Sequence, residues 1–215
     1  MLDGSATVTI IIIIITAIVS IIGFSNREVF FRLKFNPFNA LHSKQYYRFF
    51  TYGLLHADWM HLLINMFVLY SFGTVVESFY KHPEIFAEKG ILYYILLYVG
   101  GICLSVLPSF GKQKNNPVYN AVGASGAVSA VVFASILFAP LNKIYLFFIP
   151  IGVPAFIFGI LYLVYSWYMA KRGKGNIGHD AHFWGAVYGV VFTICLKPML
   201  ALYFYDQVRM FFQSF

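Results

Sequence analysis

The chain has 215 residues, of which 60% are hydrophobic and only 11% charged, more apolar surface than a water-soluble domain of this size can bury. Its net charge of +7 comes from basic residues scattered between apolar runs, with no Lys/Arg block. It therefore reads as contact with lipid headgroups, and no nucleic-acid partner is expected. The runs are apolar all round rather than alternating, which excludes a β-barrel and predicts an all-α, multi-pass membrane protein of one domain over residues 1–215.

The first span is expected over about 6–24, around the isoleucine run Ile10 to Ile15. It is long enough to cross a bilayer and has no basic segment ahead of it, so it reads as a transmembrane helix rather than a signal peptide. A long first loop, about 25–55, carries Asn36-Pro37-Phe38-Asn39 and Gln45-Tyr46-Tyr47-Arg48-Phe49-Phe50; its aromatics and arginines suit headgroup depth. The second span, about 59–79, follows His56 and Asp58, with Asp58 as its N-cap. His61 and Asn65, four residues apart, share one face of that span. Two polar donors on one face suit either stabilisation of an oxyanion or an interhelical hydrogen-bond pair. The HxxxxH spacing of His56 and His61 lacks the pattern of a zinc helix, and no metal is expected.

The third span, about 91–108, is closed by Pro108, and the fourth, about 124–139, opens at Gly123-Ala124-Ser125-Gly126. Glycines beside a serine leave its hydroxyl unobstructed, and a helix start offers free N–H groups to an oxyanion. Taken alone, the tetrapeptide fits a small-residue packing seam, continued by Ala127, Ser129 and Ala130, better than it fits a nucleophile. The fifth span is expected over about 144–169, with Pro150 and Pro154 near its start, and a Gly-rich loop over about 170–180 follows it. The sixth, about 181–204, begins at His182, and Gly185 and Gly189 form a GxxxG seam expected to face the fourth span. Ser125 and His182 then meet at one end of their helices, on the membrane face where the second span also begins. His179 is a rival base three residues earlier, expected to be a solvated loop histidine. The two cysteines, Cys103 and Cys195, fall inside apolar spans and are expected to pack there rather than to form a disulfide.

In order and spacing, this set resembles the rhomboid family of intramembrane serine proteases. The features that carry the likeness are Tyr47-Arg48 before Leu54-Leu55-His56, the pattern of His56, His61 and Asn65, the GxSG of Gly123 to Gly126, and Ala181-His182 ahead of Gly185 and Gly189. The resemblance implies a six-transmembrane-helix bundle with a long, partly membrane-embedded first loop. It implies a Ser125–His182 dyad without an aspartate and without a cofactor. His61, Asn65 and the Ser125 N–H would form the oxyanion hole, Gly123 would shape it, and His56 would organise it. Glu77 would tie helices together near the other face. The substrates implied are transmembrane proteins. The location implied is a cell (inner) membrane, with the site opening to the non-cytoplasmic side. Lys and Arg are more frequent in the loops at 25–55, 109–122 and 170–180, so the positive-inside rule read literally points the other way. The chain departs from the family where an aromatic often stands four residues after the serine, here Ser129, and where a tryptophan often precedes the first-loop arginine, here Tyr47. The other readings are a catalytically weak rhomboid-like factor that binds membrane proteins, and a transporter. The first predicts loss of Ser125 or His182, and the second predicts internal repeats; neither is found.

Overall fold

The computed structural model describes residues 6–145, 151–172 and 178–214. Pro150 and residues 173–177 of the Gly-rich loop lie outside these. The first apolar run forms α1, Thr7–Ser25. The expected first loop is instead largely helical, folded as α2, Arg27–Leu33, α3, Pro37–His42, and α4, Arg48–Thr51, the last running into a 3-10 turn over Tyr52–Leu54. Its sequence contains helix starts: Asn26 accepts from the Val29 N–H, Asn36 accepts from the Asn39 N–H, and Pro37 occupies the first helical position. The buried Arg48 holds the segment together, donating to the carbonyls of Phe31 at 3.0 Å and Lys34 at 2.7 Å and to Gln45 Oε1 at 2.6 Å.

Helix α5, Trp59–Lys81, starts at the predicted N-cap, where Asp58 accepts from the His61 N–H at 2.8 Å. Helix α6, Gly90–Ser105, ends sooner than expected. Pro108 then falls in the first turn of α7, Leu107–Gln113, where a missing N–H costs no hydrogen bond. Helix α8, Ser125–Phe138, is buried at every residue from Gly126 onward and lies at the centre, with α5, α6 and α10 (His179–Leu196) against it. Its 14 residues fall short of the roughly 20 that span a bilayer, which fits a helix shielded from lipid by its neighbours.

Two expectations are corrected beyond α8. The fifth helix, α9, Ala155–Arg172, begins immediately after Pro154 rather than near residue 144. The residues ahead of it form a short antiparallel pair, β1, Lys143–Tyr145, with β2, Gly152–Pro154, so the fold is not purely α. The sixth span is not one straight helix. α10 stops at Leu196, and Lys197-Pro198 turns the chain by 114° into α11, Met199–Gln213. Proline removes a helical N–H and drives the preceding residue out of the α region, which accounts for a break at this place.

Among the described residues, α1, α5 and the stretch Ala87–Gln113 are long and apolar enough to cross a membrane, and the bent pair α10–α11 qualifies when taken together. Their outer faces carry exposed Ile, Leu, Phe and Tyr side chains, as lipid-facing helices do. At the end of the bundle away from Ser125, the buried Glu77 of α5 accepts from the N–H groups of Val8 at 3.0 Å and Thr9 at 2.8 Å and from Thr9 Oγ1 at 2.7 Å. A carboxylate thus takes up two of the free N–H groups at the α1 N-terminus.

Candidate active site

Ser125 is the first residue of α8 and is half-buried, while its neighbours Ala124 and Gly126 are buried. The helix is gripped through small residues. A Cβ on Gly126 would collide with Ser105 Oγ of α6, and one on Gly101 of α6 would lie 2.8 Å from Ala127 Cα. On the other side, a Cβ on Gly185 would strike the Gly126 carbonyl, and one on Gly189 the Ala130 carbonyl. The GxxxG seam of α10 therefore rests directly on the backbone of α8. This contact brings the first turn of α10, with His182, against the first turn of α8, with Ser125.

The approach to Ser125 is fixed by backbone pairing. Phe35 and Ala121 exchange two N–H···O bonds of 3.0 Å, and the Gly123 N–H donates to the Tyr52 carbonyl at 3.1 Å. Asn36 Nδ2 reaches the carbonyls of Pro117 and Tyr119 and Asn120 Oδ1. Gly123 has φ of +121°, a left-handed conformation natural to glycine. It also faces the His61 ring: a Cβ there would lie 2.7 Å from Cε1 and 2.9 Å from Nε2. The Ala57 N–H donates to His61 Nδ1 at 3.5 Å. In the neutral ring that assigns the proton to Nε2, on the side facing Gly123.

His56 is fully buried and has both ring nitrogens engaged. Ser20 Oγ donates to the Leu54 carbonyl at 2.8 Å, so it accepts from His56 Nδ1–H at 3.0 Å, and His56 Nε2 accepts from the Ala124 N–H at 3.5 Å. His56 thus links α1 to the residue before Ser125, and its ring stands edge-on to His61 with centroids 4.9 Å apart. Burial, reinforced by the neighbouring His61, pushes its pKa down to about 3. Asn65 is buried, and one of its two amide hydrogens goes to the His61 carbonyl at 2.8 Å.

His182 lies in the first turn of α10, three residues after His179. Among the described residues no side-chain hydrogen bond holds its ring. Its neighbours are rings: Tyr162 of α9, at 6.3 Å between centroids and 24° from parallel, and His179, at 5.9 Å and nearly perpendicular. Tyr162 in turn shares a 2.6 Å hydrogen bond with Ser129 Oγ of α8. Trp184 is exposed and packs on Phe183. His179 is not the solvated loop residue expected. It is 6% exposed, because α10 starts at His179 and turns the ring inward against Tyr165, with Nδ1 unpartnered among the described residues. Beside it, Asp180 pairs with Lys112 at 2.9 Å, tying α10 to α7. Cys103 is half-buried as a packing residue would be, whereas Cys195 is exposed on the outer face.

Ser105, Asn36 and Tyr162 support this region, and sequence reasoning did not single them out. Each acts through a long-range contact that no local pattern carries. The one available signal was Ser129, a small polar residue where an aromatic was expected.

The chain matches the family model described as Rhomboid domain over residues 43–199. It is 28% identical over 148 residues to RHOMBOID-like protein 12, mitochondrial, of Arabidopsis thaliana, an overlap of 66% of this chain and 44% of that protein. It is 38% identical over 98 residues to Rhomboid-like protein 11, chloroplastic, of the same plant, covering 43% of this chain and 29% of that one. The chain thus spans less than half the length of either relative. The family match covers well over half of a chain whose apolar helices are built for a bilayer, and the chain belongs to the rhomboid family of integral membrane proteins.

Proposed function

We propose that this protein is an intramembrane serine protease that cuts transmembrane segments of other membrane proteins with Ser125 as nucleophile and His182 as general base. The observation that carries this reading is the backbone contact of Gly185 with Gly126, which aligns the first turns of α10 and α8 beside Gly123 and His61. In the reaction, the Ser125 hydroxyl oxygen bonds to the scissile carbonyl carbon while its proton passes to His182. The carbonyl oxygen takes the displaced electron pair. It is stabilised by the Ser125 N–H at the helix start, by His61 Nε2–H and by the remaining Asn65 amide hydrogen. Collapse breaks the C–N bond as His182 returns the proton to the leaving amine. Water then attacks the acyl ester and gives a proton to His182; collapse breaks the bond to Ser125 Oγ, releases the new carboxyl terminus and returns that proton from His182 to Ser125. Gly123 keeps the hole open by lacking a side chain, and His56 holds the Ala124 amide in place. The residues present supply this chemistry without a metal or cofactor.

In this reading α1, α5, α6, α8, α9 and α10 are the six crossings, and α2 to α4 lie at the membrane interface. Suitable substrates have a helix that unwinds readily, since a helical backbone is closed to a nucleophile and breaking residues lower the cost of opening it. The Ser125 end opens to the non-cytoplasmic side. Part of the contrary positive charge is engaged in structure: Arg48 is buried on backbone carbonyls and Lys112 is paired with Asp180.

The test is cleavage of a model transmembrane substrate in proteoliposomes. The wild type is expected to cleave, with loss of activity in Ser125→Ala and in His182→Ala, and a fluorophosphonate is expected to label the wild type but not Ser125→Ala. An intact substrate with all three proteins would instead favour a binding factor.

A further inference from the structure

His182 needs a fixed ring orientation to take a proton from Ser125, yet among the described residues it has no side-chain hydrogen bond. What lies against its face is Tyr162, nearly parallel at 6.3 Å, a separation within the range of stacked aromatic pairs. Tyr162 is itself anchored. Its hydroxyl shares the 2.6 Å hydrogen bond with Ser129, and its ring packs on Phe133 of α8 at 5.6 Å and on Phe158 of α9 at 5.9 Å. Ser129 is buried and follows Ser125 by one helical turn, so both hydroxyls lie on the same face of α8. The helix that carries the nucleophile therefore also holds, one turn deeper, the tyrosine that backs the base.

We propose that Tyr162, locked by Ser129, is the positioning residue of His182, so that the support comes from α9 and not from position 129 itself. Both residues act through His182, and neither touches substrate. The pairing gives Ser129 a function as the partner of a tyrosine hydroxyl rather than as a small residue in a packing seam. It also sets the distance between α8 and α9 at this depth, since a 2.6 Å hydrogen bond allows little drift. The proposal rests on the Ser125–His182 dyad.

The test uses the full chain in proteoliposomes with the same model substrate. Ser129→Ala and Tyr162→Phe each remove one end of the hydrogen bond and are each expected to lower kcat by about 10-fold with KM unchanged, since small misplacements of a reacting group carry rate penalties of this order. The double variant is expected to be no slower than either single one, because both remove the same bond. Ser129→Thr, which keeps the hydroxyl, is expected to retain most of the activity. Tyr162→Leu, which removes the ring, is expected to lose about 100-fold. The melting temperatures of Ser129→Ala and Tyr162→Phe are expected to fall by a few degrees at most, since one hydroxyl is left unpaired, with both variants fully folded at the assay temperature.

Wild-type kcat in Ser129→Ala and Tyr162→Phe, with Ser125→Ala and His182→Ala inactive, overturns the positioning role and leaves the dyad standing. Additive losses, or losses that track KM or melting temperature, overturn it in favour of plain packing. Cleavage by Ser125→Ala overturns the dyad and the positioning role together.

Discussion

At the scale of the residue, several buried polar groups of this protein have partners that define their roles. His56 is neutral because it donates through Nδ1 and accepts through Nε2 within a fully buried setting. Its depressed pKa gives a sign to the pH dependence. Above the ordinary value of 6.5 the ring is neutral whether the chain is folded or unfolded, and stability is complete. As pH falls from 6.5 toward about 3, the unfolded chain takes up a proton that the folded one refuses, and stability is lost. The loss expected by about pH 5 is about 2 kcal/mol, read as a falling melting temperature in detergent, and His56→Asn is expected to flatten that dependence. Glu77 supports a second prediction. Replacing it with Ala strands the N–H groups of Val8 and Thr9 in a buried place and is expected to cost about 2–4 kcal/mol, measurable by denaturant titration, without altering the site at the far end.

At the scale of the element, the contact of α10 with α8 is made by absent side chains. Gly185 and Gly189 rest on the carbonyls of Gly126 and Ala130, so any Cβ there pushes two backbones apart. Gly185→Ala is expected to move His182 away from Ser125 and to cut cleavage about 100-fold in the proteoliposome assay. Gly189→Ala lies a turn deeper and is expected to lower stability together with activity. The same elements show what the linear pattern conveys. The GxxxG spacing and the small face of the fourth span were enough to pair those helices from sequence. The bend at Lys197-Pro198 was visible as a residue pair, but its 114° angle depends on what α11 packs against, including Phe156 of α9 through Phe211 and Phe212. The hairpin before α9 was missed because three-residue strands are too short to show a period.

At the scale of the whole molecule, the proposed orientation can be checked directly. In a background with Cys103 and Cys195 replaced by serine, cysteines are placed at Val118, exposed beside the site, and at Glu88, exposed in the turn before α6. In sealed vesicles of known sidedness, an impermeant maleimide is expected to label Val118→Cys from the non-cytoplasmic side and Glu88→Cys only after permeabilisation. The reverse pattern would mean that the positive-inside bias governs this chain.

The sequence by itself determined the membrane class and the extent of α1, α5 and α8, and it singled out His56, His61, Asn65 and His182 as candidates to accompany Ser125. Composition, apolar run length and residue spacing are local properties, and burying a polar group in a membrane is costly enough to make each one informative. The tertiary structure decided how these residues are held. Burial of His179, the tautomer of His56, the folding of the first loop around Arg48, and the Ser129–Tyr162 bond beside His182 all join residues distant in the chain or depend on packing that no window of sequence contains. A hydrogen bond of 2.6 Å between α8 and α9 is a property of their approach, just as the meeting of Gly185 and Gly189 with the α8 backbone is a property of the approach of α10.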